Sequence, residues 1–328
     1  MRKITVGNPI SLILGFSYGG KNATYFVVQE ESDLRPSHRN TNLAFILQES
    51  IASFFDIDFQ VVAFEKFEHD YLRDFDSVTE FRFITHFRNK YPDLNLPSVE
   101  AISYGADVLL ANSSLKEMLR GPRSFRVINA WKNELNKHPN ISKLLIPEIN
   151  SELTSLFNIP VKQIPRDNLQ LNMRNFSMSS QFSEFIEFSH VGAYSLIIVG
   201  PDYYGFDSQN VDALVSSIRE IPNSDQYQIL MKPHPASDIS AEMMNYFEHQ
   251  LGRPTLNTAL KIDINRIKTS PIEILMAANN ANLYVGIYTA GVAGVDRHRV
   301  FWVPSSDKFS ERMYKINYRK FLEYWSYS

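Results

Sequence analysis

Four consecutive residues, Lys232-Pro233-His234-Pro235, bring together a cation, an imidazole and two fixed φ angles after the apolar run Ile229-Leu230-Met231. That run reads as a buried parallel-sheet strand, and α/β proteins set ligand-contacting groups at the carboxyl ends of such strands. The prolines flanking His234 stiffen the turn that presents its ring. An imidazole is the side chain best suited to exchange a proton near neutral pH. A single histidine is more often packed or surface-lying, and that description is kept for the other seven of the 8 histidines. At His234 a strand end, a neighbouring cation and flanking prolines coincide, so a functional role is preferred.

Two later strings add candidates. Ser270-Pro271-Ile272-Glu273 places a carboxylate at a helix start, and Asn282-Leu283-Tyr284-Val285-Gly286-Ile287-Tyr288-Thr289-Ala290 runs from a strand into small and hydroxyl residues, with Gly291 and Gly294 beyond. A helix beginning there would offer free N–H groups and a favourable dipole to a phosphate. Equally, the two glycines would serve close helix–sheet packing, and spacing alone leaves the two readings level. Asp107, in Gly105-Ala106-Asp107-Val108, follows a strand of the first half and would face His234 across a cleft. Helix N-capping is the commoner use of an aspartate in that place.

What the chain lacks narrows the chemistry. With 328 residues and no cysteine, thiolate zinc sites, iron–sulfur clusters, disulfide scaffolds and cysteine nucleophiles are excluded. A balance of 33 Lys+Arg against 36 Asp+Glu argues against a protein that coats duplex nucleic acid. Gly15-Phe16-Ser17-Tyr18-Gly19-Gly20-Lys21-Asn22 nearly spells a phosphate-binding loop, but Asn22 stands where magnesium coordination needs Ser or Thr. Its glycines also close a helix rather than follow a strand, which favours helix C-capping. No G-x-G-x-x-G follows an expected strand, and no H-E-x-x-H occurs, which leaves dehydrogenases and zinc hydrolases without support. The apolar stretch 10–16 is too short to cross a bilayer and has no small-residue cleavage site, so a cytoplasmic protein is expected.

The elements that must position these residues alternate. Strands are expected at 4–7, 23–29, 59–64, 99–104, 126–129 and 143–146, with helices at 9–18, 40–55 and 77–90. Residues 158–168 hold two prolines and no helical period, and are expected to connect two domains. Beyond them come strands at 195–200, 227–232, 260–264, 282–287 and 299–303, with helices at 208–221, 240–249 and 270–280. Strand–helix alternation implies parallel, doubly wound sheets. The expectation is two Rossmann-like domains, residues 1–165 on the acceptor side and 166–328 on the donor side, facing a cleft. This is the outline of a two-domain nucleotide-sugar glycosyltransferase, the GT-B type.

Taken together, the strings resemble the bacterial sialyltransferase and polysialyltransferase families that build capsules and lipooligosaccharides. Lys232-Pro233-His234-Pro235 matches their Lys-x-His-Pro motif, Pro271-Ile272-Glu273 their Pro-x-Glu segment, and Tyr288-Thr289 their later hydroxyl pair with one hydroxyl kept. The likeness is best over about residues 140–300 and thin before residue 101. The family's acidic motif is degenerate here, since Asp107 has neither the paired acid before it nor the glycine after it. Glu148 and Asp202 are therefore fallbacks for its role.

The resemblance implies an inverting transfer of sialic acid or another nonulosonic acid from a CMP-activated donor to a glycan hydroxyl, with no metal required. Asp107 would be the catalytic base and His234 the catalytic acid or hydrogen-bond donor. Lys232, Pro235, Glu273, Gly286, Tyr288, Thr289 and Ala290 would bind the donor. The partners expected are a CMP-sugar and a glycan acceptor, a lipid-linked one among the options, and no nucleic acid. Residues 312–325 alternate basic and aromatic side chains; packing back across a domain is preferred to lying at the inner membrane surface. Two other classes share the outline, namely a UDP-dependent transferase or epimerase and an inactive glycan-binding relative.

Overall fold

A computed structural model describes residues 2–29, 41–63, 77–78, 99–102, 141–146, 160–164, 166–187, 195–199, 208–233, 239–278, 282–286 and 299–303. The fold is mixed α/β with two parallel sheets. The chain divides into two compact units, residues 1–34 with 44–173 and residues 35–43 with 174–328.

The first unit is built on β1 (Arg2–Val6), β2 (Ala23–Gln29), β3 (Phe59–Ala63), β4 (Ser77–Val78), β5 (Val99–Ile102), β6 (Ile141–Ile146) and β7 (Val161–Gln163). Their order is β3-β2-β1-β4-β5-β6-β7, and every pairing is parallel. Five successive residues of β2, Ala23 to Val27, are buried. A strand buried on both faces is what a parallel sheet with covered faces requires. Between β1 and β2 runs α1 (Pro9–Gly19), and α2 (Thr41–Phe55) precedes β3; the start of α1 is fixed by Asn8, since its Oδ1 accepts the Ser11 N–H at 2.9 Å. Pro9 at the first turn costs no hydrogen bond. Gly20 ends the helix at φ +63°, its N–H donating to the Phe16 carbonyl. At Gly19 a Cβ would stand 2.5 Å from Ile4 Cδ1. The glycine pair therefore serves a helix end packed on β1, as its sequence context suggests.

The second unit carries β8 (Ser195–Val199), β9 (Gln228–Lys232), β10 (Leu283–Gly286) and β11 (Val300–Trp302), ordered β11-β10-β8-β9, again all parallel. Val285, Ile198 and Met231 stand in register across three strands. They form one core with Val211, Leu214, Val215 and Ile218 of α5 (Ser208–Arg219) and with Met244 and Phe247 of α6 (Ala241–Leu251). Each such burial stabilises by about 1.5–3 kcal/mol. The alternating residues Tyr284, Ile197 and Leu230 form the next row, so their side chains and that of Lys232 lie on the opposite face. β9 also meets α7 (Leu256–Ala259) and α8 (Ile264–Thr269). Next in the chain is α9 (Ile272–Ala278).

Three expectations are corrected. Of the helix placed at 77–90, the described residues 77–78 form β4 instead, which pairs with both β1 and β5 and suits the β-branched Val78, while residues 79–90 lie outside the described residues. The connector placed at 158–168 contains β7 at the sheet edge and the start of α3 (Arg166–Ser177). Proline is tolerated at the ends of an edge strand, so Pro160 precedes the pairing rather than abolishing it. In α3 the residues Leu169, Met173 and Phe176 are buried at i, i+4 and i+7, a helical period in a polar sequence. A short α4 (Ser180–Ile186) follows, capped by Ser179. The strand placed at 260–264 is a turn with Lys261 at φ +53°, leading into α8. The Asp263 carboxylate accepts the Asn265 N–H at 2.9 Å, an N-cap that ends any extended run.

Candidate functional site

β9 ends on Lys232, and the row that contains it runs across the sheet through Val199 of β8 to Gly286 of β10. Two of the sequence candidates, Lys232 and Gly286, thus stand in one row at the carboxyl edge. They are separated by two strand spacings, about 10 Å. Open α/β sheets take their ligands at this edge, and the order β10-β8-β9 reverses direction at β8.

Lys232 is 3% exposed, unusual for a lysine. Its ammonium donates to the Pro233 carbonyl at 2.9 Å and to the Lys268 carbonyl at 3.1 Å. The amine therefore ties the end of β9 to the last turn of α8. Burial is the chief cause that lowers its pKa to about 8, the nearby Lys268 charge acts the same way, and Glu273 opposes both. Glu273 lies in the first turn of α9. Burial pushes its carboxyl above the ordinary range, against the pull of its own backbone N–H and of Lys232. Lys232 and Glu273 are thus electrostatic neighbours although forty residues separate them in sequence. Between α8 and α9, Ser270 is buried, and its hydroxyl donates to the Arg266 carbonyl at 2.9 Å.

His234 and Pro235 follow β9 in the sequence, and Tyr288, Thr289 and Ala290 follow β10. These five lie outside the described residues, as do Asp107, Glu148, Asp202 and the segment 312–325. Of the candidates, the structure brings Lys232, Glu273 and Gly286 to one end of the second sheet. Among the described residues no cluster of His, Cys, Asp and Glu could hold a metal ion, and no helix is long and apolar enough to cross a membrane.

Two groups of residues escaped the sequence reading. In the first unit the Glu100 carboxylate accepts the Tyr18 hydroxyl at 2.5 Å and the Lys143 ammonium at 2.6 Å. The Arg2 guanidinium lies 4.7 Å from the centre of the Tyr18 ring. Burial raises the Glu100 carboxyl, but the Lys143 and Tyr18 hydrogen bonds outweigh it and the net shift is downward. The Tyr18 hydroxyl is pushed up to about 12, by burial first and then by Glu100. Glu100 and Lys143 are register partners on β5 and β6, so a charge inside each of two short apolar strands was the available signal. The second group is Asn257, buried on α7, whose carboxamide binds the Met231 backbone. A lone asparagine in a polar stretch gives no such signal.

No protein-family model matches the chain, and no curated protein matches it. A solved structure described as "OtsA apo structure" aligns over 100% of this chain and 96% of its own, at 10% identity and a TM-score of 0.38. A likeness at that level carries no argument.

Proposed function

We propose that this protein is an inverting glycosyltransferase of the two-domain GT-B type, moving sialic acid or another nonulosonic acid from a CMP-activated donor to a glycan hydroxyl. The observation that carries the reading is that Lys232, at the carboxyl end of β9, has Glu273 as its electrostatic neighbour and shares a row of the sheet with Gly286. These residues come from three separate strings that resemble one family, and a shared ligand explains why they should converge.

In the reaction, the acceptor hydroxyl attacks the anomeric carbon while the bond from that carbon to the CMP phosphate oxygen breaks. Asp107 takes the hydroxyl proton, a task for a carboxylate. His234 donates a proton or a hydrogen bond to the departing phosphate. The Thr289 hydroxyl and backbone N–H groups near Ala290 stabilise its charge, assisted by the positive field of Lys232. Glu273 holds the cytidine ribose. Gly286 ends β10 without a side chain, and the donor contacts assigned by the resemblance also include Tyr288 and Pro235. CMP leaves as a monophosphate whose charge these donors neutralise, so the reaction needs no metal. The acceptor is a surface glycan, met in the cytoplasm or at the inner membrane face.

Calorimetric titration with CMP, UMP and UDP tests the donor assignment. CMP is expected to bind at least tenfold more tightly than either uridine nucleotide, and more weakly in Glu273→Ala. Tighter binding of UDP or UMP would remove the assignment.

A further inference from the structure

Tyr284, the second residue of β10, is completely buried. Its hydroxyl oxygen is the one buried side-chain nitrogen or oxygen among the described residues that has no hydrogen-bond partner. An unpaired hydroxyl forfeits its full hydration, and native structures seldom leave one so. A phenylalanine would fill the same space without that loss. The sheet itself offers no partner, since the neighbour of Tyr284 on β8 is the buried Ile197. Two polar side chains do come close. Asn282, immediately before β10, is 2% exposed, and Arg299, immediately before β11, sets its guanidinium carbon 5.6 Å from the centre of the Tyr284 ring. The Arg299 Nε donates to the Asn282 carbonyl at 2.9 Å, which holds the two residues together. Burial is the chief influence on the phenol and pushes it up to about 12, while the Arg299 charge and the side chains of Asn282 and Arg299 pull it back. Both side chains are thus near the hydroxyl, yet neither completes a hydrogen bond with it.

From this convergence we infer that Tyr284, Asn282 and Arg299 form a small-anion site at the amino ends of β10 and β11, which takes a halide or a single oxygen of a carboxylate or phosphate. The donor set favours an anion over a water molecule. A phenol that stays protonated at neutral pH, a carboxamide N–H and a guanidinium can all donate to one acceptor, and the guanidinium can do nothing else. Among the described residues the one charge that acts on the hydroxyl is the positive charge of Arg299, and its pull on an anion is strengthened where Tyr284 and Asn282 exclude water. Arg299 is itself half-buried, so the anion reaches the site from its side. The site lies at the opposite edge of the sheet from Lys232 and Gly286, and it stands or falls apart from the transferase proposal. Its consequence is structural. β11 is an edge strand paired with β10 over three residues, and an ion gripped from the start of both strands fastens it to the sheet.

Unfolding in urea at constant ionic strength, with chloride, formate or phosphate replacing a bulky sulfonate salt, measures the site through linkage. Across a hundredfold rise in a bound anion, the wild-type unfolding constant is expected to fall about tenfold or more. A response to chloride alone identifies a halide site and a response to formate or phosphate an oxyanion site; each supports the inference. The response should vanish in Tyr284→Phe and in Arg299→Gln, whatever either change does to stability at low anion concentration. It should persist in Arg253→Met, which removes an arginine that elsewhere in the same unit donates to the Ser224 and Asp225 carbonyls. A wild type indifferent to all three anions would overturn the inference and leave the hydroxyl to a buried water. An undiminished response in Tyr284→Phe, or its loss in Arg253→Met, would overturn it as well. Crystals of the wild type grown in the stabilising anion give a readout that needs no variant: density for that anion against Tyr284 Oη is expected, and density for water alone there would overturn the site.

Discussion

Replacing Lys232 by methionine should alter stability in a manner that depends on pH, and the sign follows from the site. Met has nearly the same length but no charge and no donor. In the folded protein the ammonium is buried and its pKa lies near 8, against 10.5 for an ordinary lysine. Between those values the unfolded chain binds more protons than the folded one, so the Lys232 contribution to stability rises with pH. Two such pKa values give a folding cost for the charge of about 3 kcal/mol at pH 7 that falls to about 1.4 kcal/mol at pH 9.5. The hydrogen bonds to Pro233 and Lys268 survive deprotonation in part, because a neutral amine still has two N–H groups. Wild type minus Lys232→Met should therefore grow in favour of the wild type by about 2 kcal/mol from pH 7 to pH 9.5. Equilibrium unfolding in urea at half-unit pH steps, performed on both proteins, reads this difference directly. A difference that stays flat across the window would mean that the amine is solvated, and one that falls with pH would reverse the sign of the argument.

Other consequences are simpler. Gly19→Ala puts a methyl group 2.5 Å from Ile4 Cδ1 and 3.0 Å from Tyr25 Oη, so it should cost about 1–3 kcal/mol in thermal unfolding. Gly20→Ala meets no atom but must hold φ +63°, and should cost about 1 kcal/mol. Because its net pKa shift is downward, Glu100 adds stability that is present above its unfolded pKa and lost as pH falls through the folded one. Acid unfolding of Glu100→Gln should accordingly show a shallower slope below pH 4.5 than the wild type. His234→Ala should nearly abolish turnover, and Asp107→Ala should do so with CMP binding intact; wild-type turnover in Asp107→Ala would pass the base to another carboxylate.

The parallel sheets were legible because strands such as Ile229-Leu230-Met231 are continuous apolar runs between helical segments, the pattern of a strand buried on both sides. Helix ends were legible where a glycine or proline has a single cheap use, as at Pro9 and Gly20. The failures share a cause. At 158–168 two prolines outweighed a three-residue edge strand and the buried period of Leu169, Met173 and Phe176. At 260–264, Leu260, Ile262 and Ile264 alternate as a strand would, yet Leu260 is 54% exposed and Asp263 caps a helix. Lys232 stood out in the sequence from its place in a motif, but its burial and its bonds to the Pro233 and Lys268 carbonyls did not. Those depend on α8 lying beside β9, a tertiary fact with no local signature. The same holds for Asn257 and for the pairing of Glu100 with Lys143.

The central claim is the transfer of a CMP-activated nonulosonic acid, and the release of CMP measures it most directly. The protein is incubated with CMP-sialic acid and related CMP-activated donors, with and without glycan acceptors, and free CMP is followed over time. The account predicts saturable release that is accelerated by an acceptor, unaffected by a metal chelator and lost in His234→Ala. No release above the rate of donor breakdown in buffer, across the whole donor set, would contradict it.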